Sequence, residues 1–162
     1  MTQGQMDHGQ MDGEMARRNY LMLGYTSIGM LIVMYLVMFT MIYSLGEFVH
    51  NINFFYMAIM MAIPMIAMMP LIMPSMYPAK RLNLLIYAGS AVLFVLAFLG
   101  IRAQALVGDT QFLRSMIPHH SGAVLMCERA KISDREIQQL CDGIIRSQKQ
   151  EIDQMKQILK RL

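Results

Sequence analysis

Three uncharged and largely apolar stretches occupy much of the first two thirds of the chain, at residues 20–43, 54–73 and 82–101. A helix rises about 1.5 Å per residue, so roughly 20 residues cross a hydrocarbon layer of about 30 Å. Pro64 and Pro70 interrupt the second stretch, but membrane helices tolerate proline with a kink. The pattern predicts three transmembrane helices in a membrane domain at residues 20–101.

The pattern of apolar residues changes beyond residue 101. After a linker at residues 102–108, apolar side chains recur with helical spacing in two segments of residues 109–162. Ser133 and Glu136 have the spacing of a capping box, which places the turn between the segments near Ser133. Two helices bury too little surface to fold stably by themselves. The sequence therefore predicts an all-α protein whose C-terminal helical hairpin completes a four-helix bundle with a second copy.

The first 19 residues mix glycines with polar and charged residues, which predicts a flexible N-terminal tail over residues 1–19. The Met, His and Asp side chains of this tail can bind metal loosely. A disordered leader explains the same composition, and both interpretations are kept.

The composition fits a membrane protein, since 56% of the residues are hydrophobic and only 15% are charged. The net charge is +3, but the basic residues are scattered and accompany no nucleic-acid-binding motif, which excludes that class. No phosphate-binding loop and no nucleophile–base arrangement is evident, so we do not expect an enzyme. The unusual number is 20 methionines, because methionine packs adaptably and also binds soft metals.

Positive charges in short loops predict the orientation in the membrane. Arg17 and Arg18 precede the first span, and Lys80 and Arg81 lie between the second and third spans. The loop at residues 44–53 contains neither Lys nor Arg. This distribution predicts a cytoplasmic N-terminus and places the C-terminal hairpin outside the cytoplasm.

One face of the first hairpin helix concentrates ligand-capable side chains. At about 100° per residue, this face contains Phe112, Met116, His119, His120, Ala123, Met126, Cys127 and Ala130. Imidazole and sulfur ligands suit Cu(I) or another soft metal. The alternative is that the methionines and the cysteine fill the core while nearby carbonyls satisfy the histidines.

Antiparallel pairing about the turn places His119 level with Arg146 and close to Gln148 and Glu151. We therefore expect Gln148 or Glu151 to orient a histidine behind the metal, or else to form a structural hydrogen bond without metal. The predicted metal site comprises Met116, His119, His120, Met126, Met155 and Glu151.

The two cysteines, Cys127 and Cys141, lie within about one turn of each other in this pairing. A disulfide is chemically permitted outside the cytoplasm. Two buried thiols and two Cu(I) ligands are the other possibilities, in that order.

Two further patterns have both a functional and a structural interpretation. Pairing of the first two spans would set Met30, Met34 and Met38 opposite Met65, Met61 and Met57. Such thioethers can relay a soft ion, although adaptable packing explains them more simply. Glu47 and His50 match the Glu-x-x-His pair of di-iron bundles, but the single copy makes it weak support for iron.

The segment from Phe112 to Leu162 resembles a bacterial family catalogued as domain of unknown function three-hundred-and-five. The matching residues are Met116-Ile117-Pro118-His119-His120, Ala123, Met126 and Ala130, then Ile144, Gln148, Glu151-Ile152 and Met155. The three spans look like a membrane-anchored branch of that family. The resemblance implies a ferritin-like helical bundle and, for some members, copper binding outside the cytoplasm through Met116, His119, His120, Met126 and Met155.

These inferences predict a protein of the bacterial inner membrane whose periplasmic or extracytoplasmic hairpin binds Cu(I), or a similar soft ion such as Ag(I), for metal tolerance or delivery. Its expected partners are membrane lipid and a second copy that pairs through the hairpin. The first alternative is a non-catalytic accessory subunit of a larger membrane complex. The second is a di-iron or redox enzyme, which the shortage of carboxylates on the helix faces disfavours.

Overall fold

The computed structural model describes the backbone of residues 3–162 and the side chains of residues 13–162. This part of the chain folds into helices and contains no strand. The α-helices are α1 (Gln3–Val37), α2 (Ile52–Ile72), α3 (Lys80–Arg102), α4 (Asp109–Arg129) and α5 (Arg135–Leu159). Two short 3₁₀ turns, Met38–Met41 and Leu45–Glu47, lie between α1 and α2. The predicted all-α class is confirmed.

Three segments are long and apolar enough to cross a membrane, namely Gly13–Met41, Ile52–Ile72 and Lys80–Arg102. Each contains most or all of one predicted span. Pro64 and Pro70 lie inside α2 without ending it, as expected where neighbouring groups compensate for the missing amides.

Helix α1 begins at Gln3, so the backbone of the predicted N-terminal tail is helical from that residue onward. The tail's proposed metal-binding side chains, which include Met6, His8 and Met11, lie outside the described side chains. Their role stays a prediction.

The methionines of α2 do not pack into the interior of the chain. The buried side chains of this helix include Ala58, Ala62 and Ile63, whereas Met57, Met61 and Met65 are 39%, 43% and 43% exposed. Small residues let a helix approach its neighbours closely, so the thioethers are left on the outer surface. The structure lends no support to a thioether relay between the first two spans.

The chain divides into two compact units. The first comprises the N-terminal part through Met34 together with Met57–Leu99, and the second comprises Tyr35–Tyr56 and Gly100–Leu162. In the first unit, the Tyr20 hydroxyl donates a hydrogen bond of 2.7 Å to Asn83 and accepts the Ala79 N–H. Asn83 also donates to the Tyr77 carbonyl. This network fixes the connection between α2 and α3.

The second unit contains the C-terminal hairpin of α4 and α5. Its apolar core consists of Leu113, Ile117, Ile152 and Met155. The carboxylate that caps α5 belongs to Asp134, which accepts hydrogen bonds from the amides of Glu136 and Ile137. The prediction that Ser133 caps this helix is therefore wrong by one residue, because Asp134 reaches the second and third helical amides.

The connection between α1 and α2 packs against the hairpin within the second unit. The Tyr43 N–H donates to the Ser121 hydroxyl at 2.6 Å, and the Ile52 N–H donates to the Gln111 side chain at 3.2 Å. Val49 packs against the apolar core of the hairpin. The hairpin is thus not an isolated pair of helices, so its small size does not by itself require a second copy. Dimerisation stays a prediction.

Candidate functional site

His120 lies between α4 and α5 with only 11% of its side chain exposed. Its Nδ1 is 2.9 Å from the Met116 carbonyl oxygen, and its Nε2 is 2.7 Å from Oε2 of Glu151. The Met116 carbonyl and the Glu151 carboxylate are both hydrogen-bond acceptors, and each lies against one ring nitrogen of His120. Both nitrogens are therefore engaged within the protein, and neither is available to a metal in this arrangement.

Glu151 is fixed by two donors. Its Oε1 accepts the Ser147 hydroxyl at 2.6 Å, one helical turn away, and its Oε2 accepts His120. The hydrogen bonds from Ser147 and His120 lower the pKa of Glu151 below its ordinary value of 4.5. The carboxylate is therefore ionised at neutral pH. The expected hydrogen bond between Glu151 and a histidine is confirmed, although the histidine is His120.

The helix pairing differs from the predicted register by about one turn. His120 contacts Glu151, and Cys127 lies opposite Cys141, whereas the prediction set His119 level with Arg146. The predicted register counted residues symmetrically from the middle of the turn. The residues before Asp134 are extended instead of helical, so α5 begins later than that count assumes.

The methionines of the predicted site separate. Met155 is buried in the hairpin core and Met116 packs at its edge, while Met126 is 53% exposed. His119 is also exposed, and its ring centroid lies 6.1 Å from that of His120. The structure thus brings His120 and Glu151 together, places Met155 among apolar side chains, and leaves His119 and Met126 on the surface.

Among the described side chains, no group of three or more His, Cys, Asp and Glu residues converges as a metal site. Cys127 and Cys141 form a disulfide with a Cα–Cα distance of 5.2 Å. Of the three possibilities for the cysteines, the disulfide is the one found. Their sulfurs are therefore not thiolate ligands in this state.

A second polar cluster, which the sequence pattern did not reveal, centres on Glu47. This side chain is only 8% exposed. Its Oε2 accepts the Ser121 hydroxyl at 2.6 Å and the Ser44 N–H at 3.0 Å, while Lys156 lies 3.5 Å from Oε1. Ser121 in turn accepts the Tyr43 N–H. The carboxylate thus joins the connection between α1 and α2 to both hairpin helices.

One signal in the sequence pointed to part of this cluster. Ser44 and Glu47 form a capping box around the second 3₁₀ turn, and their spacing is visible in the sequence. Ser121 lies outside the face of α4 that contains His119, and this position predicts exposure to solvent, but the side chain is fully buried. The sequence cannot show that a loop from elsewhere covers it.

The Glu-x-x-His pair of the connection does not act as a unit. Glu47 points to Ser121, whereas Nδ1 of His50 lies 3.1 Å from the Tyr35 hydroxyl and its ring stacks on Tyr35. The two side chains have different partners, so the pair gives no support to an iron site.

Two comparisons with known proteins found matches. Residues 100–160 match the family described as "Domain of unknown function (DUF305)". The chain is also 37% identical over 118 residues to "Uncharacterized protein L153" of Acanthamoeba polyphaga mimivirus, an alignment that covers 72% of this chain and 76% of that protein. The chain belongs to the DUF305 family.

The viral relative shows that proteins similar to this DUF305 chain are not confined to bacteria. No solved structure matches the chain significantly. The ferritin-like architecture and the membrane-anchored branch implied by the resemblance therefore stay predictions, as do the bacterial origin and the compartment.

Proposed function

We propose that this DUF305 chain binds Cu(I), or a similar soft ion such as Ag(I), at the exposed face of its membrane-anchored hairpin, for metal tolerance or delivery. The observation that carries the proposal is the exposure of His119 and Met126. The alternative that these side chains are core filler does not fit their exposure. An exposed imidazole beside thioethers is chemically available to a soft ion.

Met116 and His119 form the nucleus of the proposed site. Residues three apart on a helix have Cβ atoms roughly 5–6 Å apart, so one ion can reach both side chains. Met126 lies two turns beyond His119, roughly 10 Å along the helix axis. Met126 is therefore too far from His119 to bind the same ion. In this proposal it binds a second ion or completes a site together with ligands from another molecule.

In this proposal His120 and Glu151 are not metal ligands but hold the helices that carry the ligands. Their contact ties α4 to α5 directly beside His119. Outer groups of this kind orient the ligands of metal sites. Met155 has no role as a ligand, because it lies in the apolar core.

The disulfide between Cys127 and Cys141 supports a position outside the cytoplasm, because disulfides persist in oxidising compartments. The positive charges at Arg17, Arg18, Lys80 and Arg81 favour the same orientation. A reporter that is active only in the periplasm, fused after Leu162 and expressed in a bacterium, should be active. A silent fusion, with a cytoplasmic reporter active instead, would contradict the orientation.

A second copy of the chain is the proposed partner of the exposed face. The exposed apolar side chains of the hairpin are Phe112 at 51%, Met126 at 53%, Ile137 at 48% and Leu140 at 62%. Apolar surface of this kind often marks an interface. The full chain in detergent should sediment as a dimer that Leu140→Glu dissociates, and a monomeric parent would contradict this proposal.

The metal proposal is tested by titrating the detergent-solubilised full chain with Cu(I) against a competing chelator, followed by elemental analysis. Removing a ligand should weaken binding at least as much as removing an outer group, which typically costs roughly 10–100-fold. We therefore expect His119→Ala and Met116→Leu each to weaken Cu(I) binding by about tenfold or more. Met155→Leu is the matched control and should leave the affinity unchanged.

Two results would contradict the assignment. Unchanged affinity in His119→Ala would place the ligands elsewhere, with the N-terminal tail and the membrane methionines next to be examined. No binding of Cu(I) by the parent would reject the metal function altogether.

The second candidate function is that of a non-catalytic accessory subunit of a larger membrane complex. The exposure of the three spans favours this function. In the most apolar part of each span, only 6%, 22% and 17% of the residues, in chain order, are buried within the chain. Such helices leave most of their surface to lipid or to other spans. Purification of the chain with a stoichiometric membrane partner and without metal would favour this candidate.

A further inference from the structure

A cleft of about 490 Å³ in the second unit has a lining suited to an anion. Its lining residues are Phe48, Val49, His50, Thr110, Arg114, Leu159 and Leu162. Each of the three polar side chains can donate hydrogen bonds, and none of the seven side chains is acidic. The remaining lining is apolar, so the cleft combines an apolar wall with cationic and hydroxyl donors.

Arg114 supplies the fixed positive charge of this cleft. Its side chain is exposed, and it makes no ion pair with any residue of the described part, 13–162. A guanidinium presents paired N–H donors that match the oxygens of a phosphate group. Arg114 is therefore available to a ligand without first breaking an internal salt bridge.

His50 is held rigidly although it lies at the surface. Its ring is nearly parallel to that of Tyr35, with an interplanar angle of 7°, and meets the rings of Phe48 and Phe39 edge-on. The contact of Nδ1 with the Tyr35 hydroxyl leaves Nε2 as the nitrogen that can bind a ligand. Nε2 carries a proton whenever Nδ1 accepts the hydrogen bond.

The position of the cleft along the chain identifies the source of the anion. Phe48 and His50 immediately precede Ile52, the first residue of a membrane-crossing helix. Residues that directly precede a membrane-crossing helix lie at the level of the lipid headgroups. The connection at residues 44–53 has no Lys or Arg of its own. Lys156 of α5 contacts the connection at Glu47, and Arg114 of α4 supplies the positive charge within the cleft.

We propose that this cleft binds the phosphate group of an anionic phospholipid, with Arg114 and His50 as the donors to phosphate and the apolar lining against the glycerol and upper acyl chains. The site is separate from the His119 face and does not depend on metal binding. It would fasten the connection and α4 to the membrane surface.

The test uses the detergent-solubilised full chain and short-chain phosphatidylglycerol, with binding followed by calorimetry and native mass spectrometry. We expect saturable binding of one phosphatidylglycerol per chain and clearly weaker binding of phosphatidylcholine of the same chain length. Hydrogen bonds to charged groups are strong enough that Arg114→Gln should weaken binding by about tenfold or more. His50→Ala should weaken it by a smaller factor.

The matched control is Arg146→Gln, which removes an equally exposed arginine on α5 that does not line the cleft. It should leave the affinity within about twofold, since a distant exposed charge is screened. Equal losses in the two arginine variants, or equal binding of phosphatidylcholine, would overturn the proposal. Displacement of the lipid by inorganic phosphate at the same concentration would also overturn it, because the site would then take free phosphate.

Discussion

Helix α4 has two faces that differ in burial, and the difference is the opposite of what the hydrophobicity of their side chains predicts. The docked face, formed by Gln111, Ser121 and Gly122, contacts the connection between α1 and α2. The exposed face, formed by Phe112, His119 and Met126, is turned outward. Judged by side-chain hydrophobicity alone, the exposed face would be the buried one.

The difference follows from what each face meets. The docked face packs against irregular backbone, which brings amides and a carboxylate that need hydrogen-bond partners. Ser121 supplies a hydroxyl to both Tyr43 and Glu47. Gly122 faces the backbone at Met41. Small and polar residues therefore fit the face that packs against the polar connection. The exposed face carries residues suited to binding a ligand or a partner molecule.

The largest effect is expected from removing the disulfide that joins α4 and α5 next to the turn of the hairpin. A disulfide closing a loop of this length contributes about 3 kcal/mol, and Cys127 and Cys141 are separated by 14 residues. Replacing both with serine should lower the free energy of unfolding by about that amount, measured by denaturant titration in detergent. If the loss is negligible, α4 and α5 are held mainly by their core.

The next effect tests the docked face. Ser121→Ala leaves the Tyr43 amide without its acceptor and takes a donor from buried Glu47. Buried groups left unpaired cost about 1–3 kcal/mol each, so we expect a loss of about 2 kcal/mol or more in the same titration. Ser133→Ala, at an exposed position in the turn, is the control and should change stability by less than about 0.5 kcal/mol. Equal effects would show that the docked face has no special role.

Gly122 provides a smaller effect with the opposite sign. A Cβ added there would lie 3.5 Å from the Met41 carbonyl oxygen, an ordinary van der Waals distance. Alanine is favoured over glycine inside a helix by about 1 kcal/mol. Gly122→Ala should therefore be neutral or stabilising by up to about 1 kcal/mol. A clear destabilisation would mean that the connection packs more tightly against α4 than this distance indicates.

The smallest effect concerns Glu151 of α5, which is partly exposed and pairs with His120 of α4. Its pKa in the folded chain is below the ordinary 4.5, so its contribution to stability is present above that value and is lost as the pH falls through the folded pKa. The stability difference between the parent and Glu151→Gln should be steady near about pH 5 and shrink below 4.5. A difference that persists undiminished well below that pH would exclude the ionised carboxylate as its origin.

The parts of the fold that depend on local pattern could be predicted from the sequence. Long apolar runs indicated the spans, because length and hydrophobicity alone decide whether a helix can cross a bilayer. Helical periodicity and turn residues indicated the hairpin. The cap was misplaced by one residue because Ser133 and Asp134 are both good capping residues and only the backbone geometry distinguishes them.

The candidate site was less predictable because it depends on contacts between distant segments. The sequence grouped six residues as one metal site. The hairpin register separates them into the paired His120 and Glu151, the buried Met155, the partly buried Met116, and the exposed His119 and Met126. The exact pairing of two helices is set by the turn and the packing, and a shift of one turn changes which histidine meets Glu151. Burial of Glu47 and Ser121 required knowledge of how the connection folds back.

The central claim is that the functional chemistry of the hairpin lies on the exposed face, with His119 as the metal ligand and His120 confined to its pairing with Glu151. The most direct measurement is nitrogen-15 NMR of the histidine side chains in the full chain as one equivalent of Cu(I) is added, with signals assigned from His119→Ala and His120→Ala. The ring signals of His119 should shift on binding while those of His120 stay where they are, because both of its ring nitrogens already have partners within the protein. A shift of the His120 signals as large as that of His119, or no shift in either histidine, would contradict the account.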